Sequence, residues 1–314
     1  PDVDQVYMTA VQLMNQRGGW PLNCVALPNG RPFWGGTYFR KEDWKKQIIG
    51  LANTYKTEPN RVIEFADKLS LGIQQVENIR LNTEEVNFRW KDLDNMVSHW
   101  SERFDNTEGG SNGAPKFPMP NAYSFLLKYA HLSKNIEILN HIELTLDKMA
   151  FGGIYDQIGG GFARYSTDKF WKAPHFEKML CDNGQLVSLY SEGYLKFKNP
   201  LYKDIVFESL EFIERELTAE NGAFYSALDA DSEGEEGKFY VWNETELTLF
   251  IREDFEIFKD YYNINSKNLW EHGNYILLRK KTKEEIAKKY KISIAALEGK
   301  IQNAFKASYP PGDA

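Results

Sequence analysis

Apolar positions recur every three to four residues along most of the chain, and the breaks in that period mark its loops. Near the start, Val6, Ala10, Leu13 and Met14 fall on one helical face, which Gly18-Gly19 closes. Trp20-Pro21 leads into the apolar run Leu22 to Leu27, which reads as a short buried strand. Pro28-Asn29-Gly30 is a hairpin turn signal, with Arg31 to Phe39 as the returning strand. Helical spacing resumes from Lys41 through Trp44, Ile48, Leu51 and Tyr55, and again through Val62, Phe65, Leu69 and Ile73. The pattern breaks at Asn82 to Asn87, where Thr83-Glu84-Glu85 is a helix start. A first domain over 1–80 and a second over 84–314 are therefore expected.

The second part reads almost wholly helical. Trp90, Leu93, Met96, Val97, Trp100 and Phe104 share a face, and a loop follows from Glu108 to Pro120. Asn121 to His131 and Asn135 to Met149 form the next pair. Helices are then expected from about Pro174 to Phe197, Leu201 to Leu217, Glu244 to Phe250 and Phe255 to Tyr262, with a strand at Gly273 to Arg279. Thr282 and Glu285 have capping-box spacing, so one charged helical stretch should run on towards Ala307. Two long loops interrupt the series. Phe151 to Pro174 carries five glycines in ten positions and has neither helical nor strand period. Gly222 to Trp242 is acidic, with flanks at Ala223 to Ala227 and Lys238 to Trp242 that alternate like a β-hairpin. Helical pairs joined on one side by long loops are the pattern of an α/α toroid, with the loops at its mouth.

Composition narrows the function classes. With 314 residues, 42% of them hydrophobic and 26% charged, a folded chain of one or two domains is expected. No apolar run approaches the roughly 20 residues of a membrane span. The net charge of −7 without a basic stripe argues against nucleic acid as a partner. Cys24 and Cys181 make no CxxC or metal-ligand spacing, which suits a reducing, cytoplasmic setting. Eight Trp and 17 Tyr raise the aromatic share to 14%, supplying apolar faces with polar handles that suit a sugar-like ligand as well as a core.

Candidate chemistry gathers in the two loops. His175 and Glu177, with Lys178 and Asp182 after them, stand near an expected helix start, where a histidine beside carboxylates can move protons near neutral pH. Asp229 and Asp231 would face the same way in a strand, and paired carboxylates are what glycoside hydrolysis needs. Glu233 to Glu236 are expected to face water. Asp156, Arg164, Tyr165 and Trp171 flank the glycines. Arg164 either clamps an anionic ligand or staples the loop through Asp156 or Asp168. The glycines do not form GxGxxG after a strand, so no nucleotide cofactor is expected. Asp229, Asp231, Glu233 and Gly234 begin like a calcium loop, but Tyr240 stands where the closing Glu belongs, so no metal is expected either. Lys116, between prolines in GAPKFP, reads as structural, and Cys24 and Cys181 as buried.

Two sets of motifs carry a resemblance. PDVDQVYMTAVQLMNQRGGWPLN with RPFWGGTYF, and PKFPMP, GGIYDQIGGGFARYSTDKFWKAPHFEKMLCDNGQL and YSALDADSEGEEGKFYVW, are similar to the spermatogenesis-associated protein 20 family. That resemblance implies the C-terminal half of a thioredoxin-like domain followed by an incomplete (α/α)6, six-hairpin-glycosidase-like toroid. The chain would then be an internal fragment lacking the CxxC half, and not a dithiol oxidoreductase as it stands. Pro21 would match the cis-proline of thioredoxin-like domains. Ala163 stands where family members often carry His. N-acylglucosamine epimerases and six-hairpin glycosidases share the barrel, so a sugar epimerase-like or glycosidase-like activity is one expectation. A recognition module whose thiol chemistry lies upstream is the other. His175, Glu177, Asp229 and Asp231 are the catalytic candidates. Asp156, Arg164, Tyr165, Trp171, Lys178 and Asp182 are the substrate-binding ones.

Overall fold

The computed structural model of the chain describes residues 2–78 and 89–308, which divide into two compact units, Pro1–Phe88 and Arg89–Ala314. The expected boundary at Asn82 to Asn87 and the closing Tyr309 to Ala314 lie outside the described residues.

In the first unit, α1 (Asp2–Asn15) precedes the antiparallel pair β1 (Asn23–Ala26) and β2 (Pro32–Gly36), then α2 (Lys41–Thr57) and α3 (Pro59–Glu77). The Leu27–Gly30 turn is closed by Gly30 N–H donating to Leu27 O at 2.8 Å. Ala10 and Met14 of α1 pack with Leu69 and Ile73 of α3, so the predicted stripes meet in part, while Val6, Leu13 and Phe65 of the same stripes are exposed. The Trp20–Pro21 bond is cis, as the resemblance implied.

The second unit is mainly α. Its helices are α4 (Trp90–Ser101), α5 (Pro120–Ser133), α6 (Ile136–Phe151), α7 (Leu180–Phe197) and α8 (Pro200–Glu216), then the shorter α9 (Glu244–Ile251), α10 (Phe255–Tyr261), α11 (Lys283–Tyr290) and α12 (Ile294–Ser308). The first five share a core with Leu126, Ile142, Leu146, Leu186, Leu189 and Tyr190 fully enclosed. The last four pack around Leu247, Phe258, Ile286 and Leu297. Thr282 and Glu285 form the predicted capping box of α11. The expected single helix to Ala307 is two, because Lys291 turns into the left-handed region at φ 55° and starts a new helix at Ile294.

A repeat invisible to simple periodicity organises the larger core. Both hairpins turn in the same way. Lys134 ends α5 and Lys198 ends α7, each with φ 57°, and the next residue, Asn135 or Asn199, caps the following helix with its side chain. The corners after α4 and α6 also match. Asp105 Oδ1 accepts from the N–H groups of Thr107 and Glu108, and Asp156 Oδ1 from those of Ile158 and Gly159. A buried lysine seals each corner. Lys116 Nζ donates to Asp105 Oδ2 at 2.7 Å and Gly109 O at 2.6 Å; Lys178 Nζ donates to Asp156 Oδ2 at 2.7 Å and Gly160 O at 2.9 Å.

That repeat corrects the reading of the glycine loop as a mouth lining. Gly160 to Ala163 are buried, and a Cβ on Gly161, at φ +78°, would sit 2.4 Å from the Phe212 ring. These glycines let the corner close against α8. The acidic loop differs from expectation as well. Its flanks do not pair with each other. Instead β6 (Ala227–Leu228) pairs with β5 (Lys178–Met179), and β9 (Val241–Trp242) with β10 (Tyr275–Ile276). The hairpin proper is β7 (Asp231–Ser232) with β8 (Glu235–Glu236). Glu233 and Gly234 turn it, with φ 52° and 81°, so one tight left-handed turn sets its register.

Candidate functional site

His175 and Glu177 do not start a helix. Pro174 to Met179 is extended and α7 begins only at Leu180, because Pro174–His175 (β4) is needed to pair with Tyr165–Ser166 (β3) and Lys178–Met179 with β6. Alternation along an extended segment puts His175 and Glu177 on one face and sends Phe176 and Lys178 to the other, into the core. Phe176 and Lys178 are accordingly 4% and 3% exposed.

Pairing β3 with β4 sets Tyr165 opposite His175, and their rings stack with centroids 5.2 Å apart. Phe117 covers the other side of Tyr165 at 4.8 Å. Both faces of the Tyr165 ring are thus occupied, and its hydroxyl and edge are what a ligand can meet. Phe117, 45% exposed, offers the open aromatic surface. Arg164 lies next along the chain. Its backbone N–H donates to Glu177 O at 2.9 Å and its guanidinium to Glu177 Oε2 at 3.2 Å. Neither Asp156 nor Asp168 pairs with it. Asp156 is held by Lys178, and Asp168 accepts from the N–H groups of Phe170, Lys172 and Ala173.

The imidazole of His175 is held between two carboxylates. Nδ1 is 2.7 Å from Glu236 Oε1, and Nε2 is 3.6 Å from Glu177 Oε2. The short contact assigns the proton to Nδ1, donating to Glu236, and leaves the Nε2 lone pair open beside Glu177 and Arg164. A carboxylate that fixes the tautomer of a histidine is the arrangement by which an imidazole becomes a directed general base. Asp182, in the first turn of α7, completes the cluster. Burial lifts its carboxyl above the usual range, nearby Glu177 adds to that, and Arg164 and the Cys181 thiol pull the other way.

Of the sequence candidates, His175, Glu177, Arg164, Tyr165 and Asp182 therefore come together. Asp231 stands directly across the hairpin from Glu236, where cross-strand partners are about 5 Å apart. Asp229 is not on a strand; it precedes the hairpin, and it and Asp231 line one cavity that holds none of His175, Glu177, Arg164 and Tyr165. Three expectations are corrected. Trp171 is fully enclosed, its indole N–H given to Glu108 O at 2.8 Å, so no ligand reaches it. Lys178 and Asp156 form the internal corner pair, and the two backbone N–H groups and Lys178 hold Asp156 below the usual carboxylate range against the upward push of burial. Glu236 does not simply face water; it is the partner of His175. The signal for it was present in Glu233-Gly234, a two-residue turn that pairs Asp231 with Glu236.

Neither cysteine behaves as expected in full. Cys181 is exposed at the start of α7 rather than buried. Cys24 donates to Trp34 O at 3.2 Å, and burial pushes its thiol up to about 11, which removes it as a nucleophile. Ala163 is core, with its N–H donated to Ile154 O. Among the described residues no group of three or more metal-ligating side chains is gathered, and no helix is long and apolar enough to cross a membrane.

The first unit carries a thioredoxin-like domain: residues 1–74 match the family Thioredox_DsbH, described as a protein of unknown function, DUF255. Over a longer span the chain is 37% identical to spermatogenesis-associated protein 20 of Homo sapiens across 270 residues, 81% of this chain and 34% of that protein. It is 32% identical to the Mus musculus protein of the same name across 342 residues, 98% and 43% respectively. The chain is a homologue of the spermatogenesis-associated protein 20 proteins, as its motifs indicated, and spans less than half the length of these relatives. Among solved structures it is similar to a sugar epimerase from a ruminal bacterium (13% identity, TM-score 0.39, 68% of this chain and 66% of that one). A cellobiose 2-epimerase from Bacillus thermoamylovorans B4167 is similar to the same degree (14%, 0.39, 70% of each).

Proposed function

We propose that the second unit binds a sugar-like ligand at the Arg164–Tyr165–His175–Glu177 cluster and that His175 acts there as a general acid or base. The observation that carries this reading is the imidazole itself, held by Glu236 on Nδ1 with Nε2 left open between Glu177 and Arg164. A ligand rich in hydroxyls matches the surroundings. Glu177 and Asp182 accept from hydroxyls, Arg164 donates to them, and the exposed ring of Phe117 offers an apolar face for a sugar ring. Proton transfer by a positioned imidazole contributes on the order of 10²–10⁴ in rate when the reacting atom is within hydrogen-bond reach.

A second reading is recognition without turnover, favoured by the thioredoxin-like unit that precedes the site. The two separate on one experiment. Reducing sugars and glycosides are incubated with the chain and with His175→Ala, and conversion and binding are both followed. Catalysis predicts conversion that is lost in the variant while binding persists in part. Binding with no conversion, unaffected by His175→Ala, supports recognition. No binding by any member of the panel overturns the sugar reading.

A further inference from the structure

A second cavity lies on the far side of the corner pair. It has a volume of about 250 Å³ and is lined by the end of α8 and the acidic loop, together with Lys178 and Asp156. The rings of Phe239 and Tyr240 stand at 84° to each other with centroids 5.2 Å apart, so they form two walls of a corner, and Leu228 lies on the same lining. The charges in this lining are not balanced. Lys178 is committed to Asp156 and Gly160 O, and lies over the Tyr240 ring at 4.8 Å. Arg215 is committed to Glu216 at 2.6 Å and to Gly159 O at 2.7 Å. Asp229 and Asp231 line the cavity too, and among the described residues no lysine, arginine or histidine makes an ion pair with either. Both cations of the lining are thus spent on the carboxylates of Asp156 and Glu216. Two exposed carboxylates remain beside an aromatic corner.

We propose that this cavity is a binding site for a compact organic ammonium ion. The charged nitrogen sits against Asp229 and Asp231 and the apolar body against Phe239, Tyr240 and Leu228. The carboxylates attract the ammonium and repel an anion, while the rings and Leu228 take the alkyl or aryl body. A neutral ligand of the same shape gains the apolar contacts alone. The site does not depend on His175 and does not rest on the sugar reading.

The test is calorimetric titration of the chain with phenethylammonium and with its neutral counterpart 2-phenylethanol, at low and high salt. The expected result is saturable binding of the cation, weakened at high salt, with the alcohol at least tenfold weaker. Asp229→Asn with Asp231→Asn should weaken cation binding at least tenfold, and Phe239→Ala should weaken both compounds. All three positions are exposed, so unchanged thermal melting is expected of the variants. His175→Ala should leave the titration unchanged. Equal affinity for cation and alcohol, or no binding of either, overturns the proposal without any variant. Loss of binding in His175→Ala overturns the claim that the site is separate.

Discussion

Replacing Lys178 by Met removes the cation that seals the second corner while keeping the length of the side chain. The ammonium is 3% exposed and makes two bonds, to Asp156 Oδ2 at 2.7 Å and Gly160 O at 2.9 Å. It also lies over the rings of Phe212 at 4.5 Å and Tyr240 at 4.8 Å. The substitution leaves Asp156 enclosed with only its two backbone N–H donors and leaves Gly160 O without its lysine donor. Breaking a buried pair from one side costs about 3–5 kcal/mol, most of it from the charge left behind. In urea, at a slope of about 2 kcal/mol per molar, the unfolding midpoint of the second unit should fall by about 1.5–2.5 M. The double variant Lys178→Met with Asp156→Asn removes the stranded charge and should recover a substantial part of that loss. A single variant that costs under about 1 kcal/mol, or a double variant less stable than the single one by the full cost of a second independent loss, refutes a charge stranded at this corner. Lys116→Met, in the first corner, should behave alike, since Lys116 is 2% exposed with the same two kinds of partner.

Three further outcomes are expected. His141 is 5% exposed, stacked on Phe104 at 3.8 Å, and burial pushes its imidazole down to about 4. The unfolded chain takes up this proton near the ordinary 6.5 and the folded chain only near 4, so stability should fall as pH drops through that window, by about 3 kcal/mol in all. His141→Gln should flatten this part of the profile in urea titrations between pH 4 and 7. Gly161→Ala places a methyl group into the Phe212 ring at a positive φ, and a loss of about 2 kcal/mol or more should appear as a lower melting temperature, whereas Gly184→Ala, in open space on α7, should be neutral or stabilising. Thr282→Ala removes the cap of α11 and should cost about 1 kcal/mol by the same assay.

Helical stripes and caps were legible because they are local. The stripes that carry Ala10 and Met14, or Leu126 and Leu146, and the capping box of Thr282 depend on spacing alone. What the sequence hid depends on partners far along the chain. Pro174 to Met179 has the polarity of a helix start, yet it is drawn out as strand by Tyr165 on one side and Ala227 on the other. Lys178 looked like a site residue for the same reason. Its mate Asp156 is 22 positions away, and only the matching Asp105–Lys116 corner, 11 positions apart, reveals a shared structural device. In the candidate site, His175, Glu177, Arg164 and Tyr165 were found from the density of chemistry-bearing residues around the loop. Glu236 was missed because it is 61 positions from His175, in a run of acids where composition alone favours solvent.

The tautomer of the His175 imidazole decides whether this cluster is a site. Long-range nitrogen–proton correlation spectra of the chain, which holds only five histidines, can assign it by comparison with His175→Gln. The structure predicts that the neutral ring is the Nδ1–H tautomer, that Glu236→Gln shifts the tautomer equilibrium, and that the Nε2 signal moves when a binding sugar is titrated in. An Nε2–H tautomer that ignores Glu236→Gln and every sugar added would contradict the assignment of this cluster as the site.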